Sequence, residues 1–231
     1  MNEENGKLIV PFTDLKYRYF LYRERFHKAL DQVLEHGQFI FGPEVAEFES
    51  VLSNYLVSPH AVAVANGTDA LILALKSHHI GDGDEVITTP MSYLASTSAI
   101  ALSGATPVFA DVGKDLNLDP EAAARAISER TRAILVVHLA GNPARMESFI
   151  ELAKKYNLLL IEDCAQAIGA TLDGKYVGIF GDVAALSLHP LKNLGTLGDA
   201  GVILTADEDR VAWLHQARNH GHSSRDQCKF W

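Results

Sequence analysis

The sequence is poor in cysteine, in positive charge and in long apolar runs, and each shortage excludes a class of protein. Cys164 and Cys228 are its two cysteines, too few for a disulfide framework, and free thiols suit a reducing compartment. A formal net charge of −9 offers no basic surface to a phosphate backbone, so nucleic acid is not an expected partner. The apolar runs at 133–137 and 158–161 fall far short of the ~20 residues that cross a bilayer, so no membrane span is expected. The opening residues Met1, Asn2, Glu3 and Glu4 lack the basic start and apolar core of a signal peptide, which predicts a cytoplasmic protein. Repeats and low-complexity tracts are also missing.

Several nucleotide and metal signatures stop short of completion. No G-x-G-x-x-G turn follows the first strand, so a dinucleotide fold is not indicated. Residues 169–175 begin like a phosphate-binding P-loop, but Tyr176 stands where a serine or threonine would hold magnesium. Asp173-Gly174 in the same stretch reads instead as a hairpin turn, which points the neighbouring Lys175 into solvent. The ten histidines are scattered, and His220-Gly221-His222 is too closely spaced for a structural zinc site, so no metal is expected.

What is present is the balance of an ordinary globular protein, with 48% hydrophobic and 21% charged residues, and a length that can bury one large core. Residues 12–56 read as helical, with Pro43 after Gly42 opening a second helix whose apolar positions include Val45, Phe48, Val51 and Leu52. Beyond them, β-branched runs at 61–65, 85–89, 107–110, 133–138, 158–161 and 183–188 alternate with helical stretches. That alternation predicts an α/β fold with a mostly parallel central sheet flanked by helices. Between the fourth and fifth runs, Met146, Phe149, Ile150 and Ala153 line one face of a helix over 144–156, opposite Arg145, Glu147, Glu151 and Lys154. Asp119-Pro120-Glu121 supplies a cap, a first-turn proline and a dipole-matched acid, so another helix begins there. The stretch from Asn219 is polar and stops on Phe230-Trp231 with no closing element, as if the chain were cut short.

Ligands of open α/β sheets bind beyond the carboxyl ends of the strands, and three such ends carry chemistry. The run 61–65 leads through Asn66, Gly67 and Thr68 into a helix whose free N–H groups and positive end could cradle a phosphate. The run 158–161 leads to Glu162-Asp163, where a carboxylate could keep a pyridine nitrogen protonated. The run 183–188 leads to Lys192, flanked by Gly195, Gly198 and Gly201, and a neutral lysine amine can form a Schiff base with an aldehyde. Singly, each has an ordinary reading: a turn capped by Thr68, an acid in a turn, a solvated lysine. Together they stand in the order that a pyridoxal-phosphate site needs.

The motifs NGTDAL (66–71), GATPVFAD (104–111), EDCAQA (162–167) and SLHPLKNLG (187–195) resemble those of the DegT/DnrJ/EryC1/StrS aminotransferase family. The resemblance runs over essentially the whole chain. It implies the large domain of the pyridoxal-phosphate-dependent transferase fold type I over residues 1–231, including an N-terminal helical segment, 1–57. It further implies pyridoxal 5'-phosphate as cofactor, a homodimer with the active site at its interface, and transfer of an amino group from an amino-acid donor such as glutamate to a keto sugar attached to a nucleotide. Residue by residue, Lys192 matches the covalent cofactor lysine and acid/base, Asp163 the partner of the pyridine nitrogen, and Gln166 the residue beside the ring hydroxyl. Gly67, Thr68 and Ser187 match phosphate-binding positions, and Tyr93 matches an aromatic ring laid over the cofactor face, a residue that would otherwise be read as core.

Two departures stand out. Family members continue past position 231 into a smaller domain that completes the substrate site and supplies an asparagine to the neighbouring subunit's cofactor phosphate, and that domain is absent here. Leu139-Ala140-Gly141 also lacks the aromatic residue that relatives often place before the glycine. Two other functions fit parts of the pattern. A pyridoxal-phosphate-dependent sugar-nucleotide dehydratase of this kind would carry histidine at the position of Lys192, and a truncated chain could bind cofactor without turning over.

Overall fold

The computed structural model describes residues 2–4, 7–224 and 227–230, so Met1 and Trp231 lie outside the described residues. The chain divides into two compact units, Met1–Ala46 and Glu47–Trp231. In the first, strands β1 (Asn2–Glu4) and β2 (Lys7–Ile9) pair antiparallel ahead of the 22-residue helix α1 (Leu15–His36). The reading of helix over 12–56 holds for Pro43–Leu56 and for α1, which a strand pair precedes within the 1–57 segment. The helix begins only after Asp14, whose carboxylate accepts the Tyr17 N–H at 2.8 Å, and it ends at Gly37, whose φ of +69° suits a residue without Cβ.

Helix α2 (Pro43–Leu56) leads into the second unit, where β3 (His60–Val64), α3 (Gly67–Ser77), β4 (Glu85–Thr88), α4 (Ala95–Leu102), β5 (Thr106–Phe109), α5 (Pro120–Ala126) and β6 (Thr131–Val137) alternate. They are followed by α6 (Met146–Tyr156), β7 (Leu159–Asp163), the small hairpin β8 (Thr171–Leu172) and β9 (Lys175–Tyr176), then β10 (Val183–Ser187) and β11 (Gly201–Thr205). Helix α7 (Glu208–Ala217) and the short pair β12 (His222–Ser224) and β13 (Gln227–Cys228) complete the described chain.

Seven strands form one sheet in the order β3-β11-β10-β7-β6-β4-β5. All run parallel except β11, which pairs antiparallel with both β10 and β3. The parallel alternation expected from the sequence is thus present, with one strand added. The run 201–205 begins on a glycine that continues the loop series Gly195 and Gly198, so its pattern alone does not set it apart as a strand. All five of its residues are buried, as a strand covered on both faces requires.

Side chains two apart along each strand share a face, and the core divides accordingly. Val62, Ile203, Ala185, Ile161 and Leu135 meet Leu71 and Leu75 of α3, Ile100 of α4 and Leu214 of α7. On the other face, Ile87, Ile134, Val136 and Leu160 meet Met146 and Phe149 of α6, while Ala184, Leu186, Val202 and Leu204 meet Leu52 and Leu56 of α2. Phe149 is fully buried, and each such side chain contributes about 1.5–3 kcal/mol. Asp119 caps α5 by accepting the Ala122 N–H at 3.1 Å, as its motif foretold, and β8 and β9 turn at Asp173-Gly174 with Lys175 exposed.

Candidate active site

The carboxyl ends of β3, β7 and β10 lie along one edge of the sheet, and the register across it sets Val64, Gly201 and Ser187 in line. From β3 the chain turns through Asn66, which is extended at φ −165° and accepts the Asp69 N–H on its Oδ1 at 2.9 Å. Asn66, and not Thr68, is therefore the cap of α3. The first-turn N–H groups of Gly67 and Thr68 have no partner among the described residues. Close approach dictates the glycines: a Cβ on Gly67 would lie 2.7 Å from Ser187 Cβ, and one on Gly201 would overlap the Asn66 carbonyl. The turn thus rests directly on the ends of β10 and β11.

Strand β7 runs two residues beyond the expected end and carries Glu162 and Asp163 on opposite faces. Glu162 is fully buried; Oε1 accepts the Phe180 and Gly181 N–H groups at 2.8 and 2.7 Å, and Oε2 accepts the Gly178 N–H at 2.8 Å and His138 Nε2–H at 2.9 Å. His138 Nδ1 accepts the Ala144 N–H at 3.1 Å, which leaves the ring proton on Nε2. His138, Glu162 and Cys164 present ligand atoms within 4.8 Å of one another. Their hydrogen bonds already occupy the histidine and the carboxylate, and burial, with help from Glu162 and Asp163, pushes the Cys164 thiol well above its ordinary range. Glu162 with its four donors is a structural lock, and Cys164 is buried beside it.

Asp163 is 5% exposed and less fully engaged. Its Oδ2 accepts Ser96 Oγ–H at 2.8 Å and its Oδ1 accepts the Ala165 N–H at 3.1 Å. Burial raises its pKa above the ordinary 3.8, opposed by the Ser96 hydroxyl, the Ala165 amide and the charge of Lys192. Lys192 lies half buried in the loop after β10, where its N–H bonds His189 O at 2.8 Å and Asn193 Nδ2 bonds Ile168 O at 2.8 Å.

Gln166 Oε1 accepts the Ala140 N–H at 2.7 Å, bracing a 3-10 turn, Leu139–Gly141, in which Ala140 has φ +53°. Tyr93 is 73% exposed, so it is no core residue. No hydrogen bond joins Tyr93 or Thr68 to the other candidates among the described residues. Gly67 and Ser187 are brought into contact, and β7 and β10, paired in parallel, carry Asp163 and the loop of Lys192 to the same edge. Sequence reasoning passed over Ser96, which had no signal beyond its place in a helix, and the four donors to Glu162, which only the folded chain assembles.

A parallel α/β sheet with a helix-opening turn, a buried carboxylate and a lysine along its carboxyl edge is the architecture of the pyridoxal-phosphate-dependent aminotransferase fold. The chain belongs to the DegT/DnrJ/EryC1/StrS aminotransferase family, whose sequence model matches residues 21–231. It is 44% identical to a dTDP-3-amino-3,4,6-trideoxy-alpha-D-glucose transaminase of Streptomyces venezuelae over 92% of this chain and 56% of the relative. It is 45% identical to a dTDP-3-amino-3,6-dideoxy-alpha-D-galactopyranose transaminase of Aneurinibacillus thermoaerophilus over 96% of this chain and 61% of the relative. The crystal structure of S. venezuelae DesV in complex with a ketimine intermediate superposes with a TM-score of 0.93 at 43% identity, covering 96% of this chain and 60% of that one. NtdA from Bacillus subtilis, solved with bound cofactor PMP, superposes with a TM-score of 0.90 at 33% identity, covering 98% and 53%. The chain therefore spans less than two thirds of the length of these relatives.

Proposed function

We propose that residues 1–231 are the cofactor-binding large domain of an aminotransferase that moves an amino group from an amino-acid donor, glutamate for preference, to a nucleotide-linked keto sugar. The observation that carries this reading is a buried carboxylate with unfilled acceptor sites at the carboxyl end of β7, on the same sheet edge as the close Gly67–Ser187 turn and the strand β10 that leads to Lys192. The names of the transaminases from S. venezuelae and A. thermoaerophilus support the sugar-nucleotide substrate.

The residues present fit pyridoxal 5'-phosphate, because the turn at Gly67 exists only while position 67 lacks a Cβ, and because Asp163 keeps acceptor capacity beyond its two hydrogen bonds. Gly67, Thr68 and Ser187 would hold the phosphate at the positive end of α3. Asp163 would hold a proton on the ring nitrogen, Gln166 would donate to the ring hydroxyl from Nε2, and exposed Tyr93 would cover one face and exclude water. When bound, the group supplies an electron sink for the carbon that loses its proton. Lys192 would hold that proton at Nζ and return it on the other side of the transfer.

Leu191, Leu194 and Leu197 around Lys192 are exposed apolar side chains, which supports a homodimer that covers this loop. Among the described residues no helix is long and apolar enough to cross a membrane, and the free thiols of Cys164 and Cys228 favour a cytoplasmic setting. Incubation with cofactor, borohydride reduction and peptide mapping tests the site. An adduct on Lys192 is expected; an adduct on exposed Lys175 with Lys192 unmodified would overturn it.

A further inference from the structure

A serine in a helix can point its hydroxyl to solvent or turn it back to a carbonyl of its own helix. Ser103, just past the end of α4, does the second, bonding Ile100 O at 2.7 Å. Ser96, fully buried in the first turn of α4, does neither: its hydroxyl crosses to Asp163 Oδ2, 67 positions along the chain, at 2.8 Å. Ser92 Oγ lies 2.8 Å from Ser96 Oγ. An ionised carboxylate only accepts, so the single proton of Ser96 is committed to Asp163, and Ser96 Oγ must then accept from Ser92. The chain has one direction, Ser92 to Ser96 to Asp163. It also sets the carboxylate by the positive end of α4, where negative charge is favoured.

We propose that Ser96, backed by Ser92, is the positioning residue that fixes the charge and orientation of Asp163, binding one oxygen so that the remaining acceptor sites face the cofactor's ring nitrogen. The orientation half of this rests on the function proposed above; the hold on the charge does not. Apart from the Ala165 amide, no other hydrogen-bond donor reaches the Asp163 carboxylate among the described residues, so Ser96 cannot be replaced by a neighbour. A hydrogen bond to a charged group in a dry site is among the stronger kinds, and a threonine would preserve it.

The test compares wild type with Ser96→Ala, Ser96→Thr and Ser92→Ala. In cofactor-free protein, the Asp163 carboxyl is titrated by carbon-13 NMR. In protein loaded with pyridoxal phosphate, the cofactor dissociation constant and the pH midpoint of the visible absorption band are measured. Ser96→Ala is expected to move the Asp163 midpoint upward and to weaken cofactor binding ~10-fold, with Ser92→Ala showing ~2–3-fold and Ser96→Thr within about 2-fold of wild type. An Asp163 midpoint unchanged in Ser96→Ala overturns the proposal, as does loss in Ser96→Thr equal to that in Ser96→Ala. If Ser96→Ala fails to fold, Ser92→Ala decides by the same midpoint. A shifted midpoint in protein whose Lys192 accepts no borohydride-trapped cofactor upholds the hold of Ser96 on the charge while sinking the functional reading.

Discussion

Glu162 and Asp163 are neighbours on one strand, both buried, and they are put to opposite uses. A carboxylate offers about four acceptor sites. Glu162 has all of them filled, by three backbone amides and His138, and it ties the 178–181 turn and the end of β6 to β7. Asp163 has one serine and one amide, with a lysine charge nearby. Burial alone therefore does not mark a functional acid. Unspent acceptor capacity beside an opposite charge does.

The contrast breaks first at Glu162. Glu162→Ala leaves three amides and a histidine buried without their acceptor, and stability should fall by about 3–5 kcal/mol in denaturant unfolding. A loss below ~1 kcal/mol would remove the distinction between the two acids. If the proposed function holds, Asp163→Asn should instead fold normally and lower the amino-donor half-reaction on the order of a hundredfold, since an amide could not stabilise a charged ring nitrogen. Half-reaction rates within a few-fold of wild type would show that Asp163 is structural too.

A pH experiment sharpens the comparison. Burial raises Asp163 above its ordinary 3.8, so between that value and the raised one the folded chain holds a proton that the unfolded chain has released. Stability then falls as pH rises through this window, and the deficit persists at neutral pH. Cofactor-free Asp163→Asn should accordingly melt above wild type near about pH 7, with the gap closing near about pH 3; an equal gap at both would show that charge is not the cause. The smallest effect concerns the thiols. Cys164 lies under the Glu162 lock and Cys228 is exposed, so native protein should yield one reactive thiol to a disulfide reagent and denatured protein both. Rapid labelling of Cys164 in the native state would mean that the lock opens.

Much of this was legible in advance wherever local pattern and tertiary outcome agree. The β-branched runs, the Asp119-Pro120 helix start and the Asp173-Gly174 turn carry their reasons within a few residues, and the motifs containing Gly67, Asp163 and Lys192 lie at strand ends that the alternation locates. Strand β11 was missed because five residues with period neither of helix nor of half-buried strand were attached to a glycine-rich loop. The first two residues of the expected 144–156 helix are outside α6: Arg145, at φ −71° and ψ 70°, is its non-helical cap, and the Ala144 N–H is taken by the buried His138 ring, whose orientation is set by Glu162, 24 positions away. Ser96 was invisible for the same reason: its meaning lies in Asp163.

The antiparallel strand has a further consequence, for synthesis on the ribosome. β3 has no strand partner in the sheet except β11, so it cannot pair into the sheet until residues 201–205 have emerged. At ~5–20 residues per second that wait is on the order of ten seconds. During it β4 to β10 can assemble among themselves, while β3 stays an unpaired strand exposed to misassembly and to chaperones.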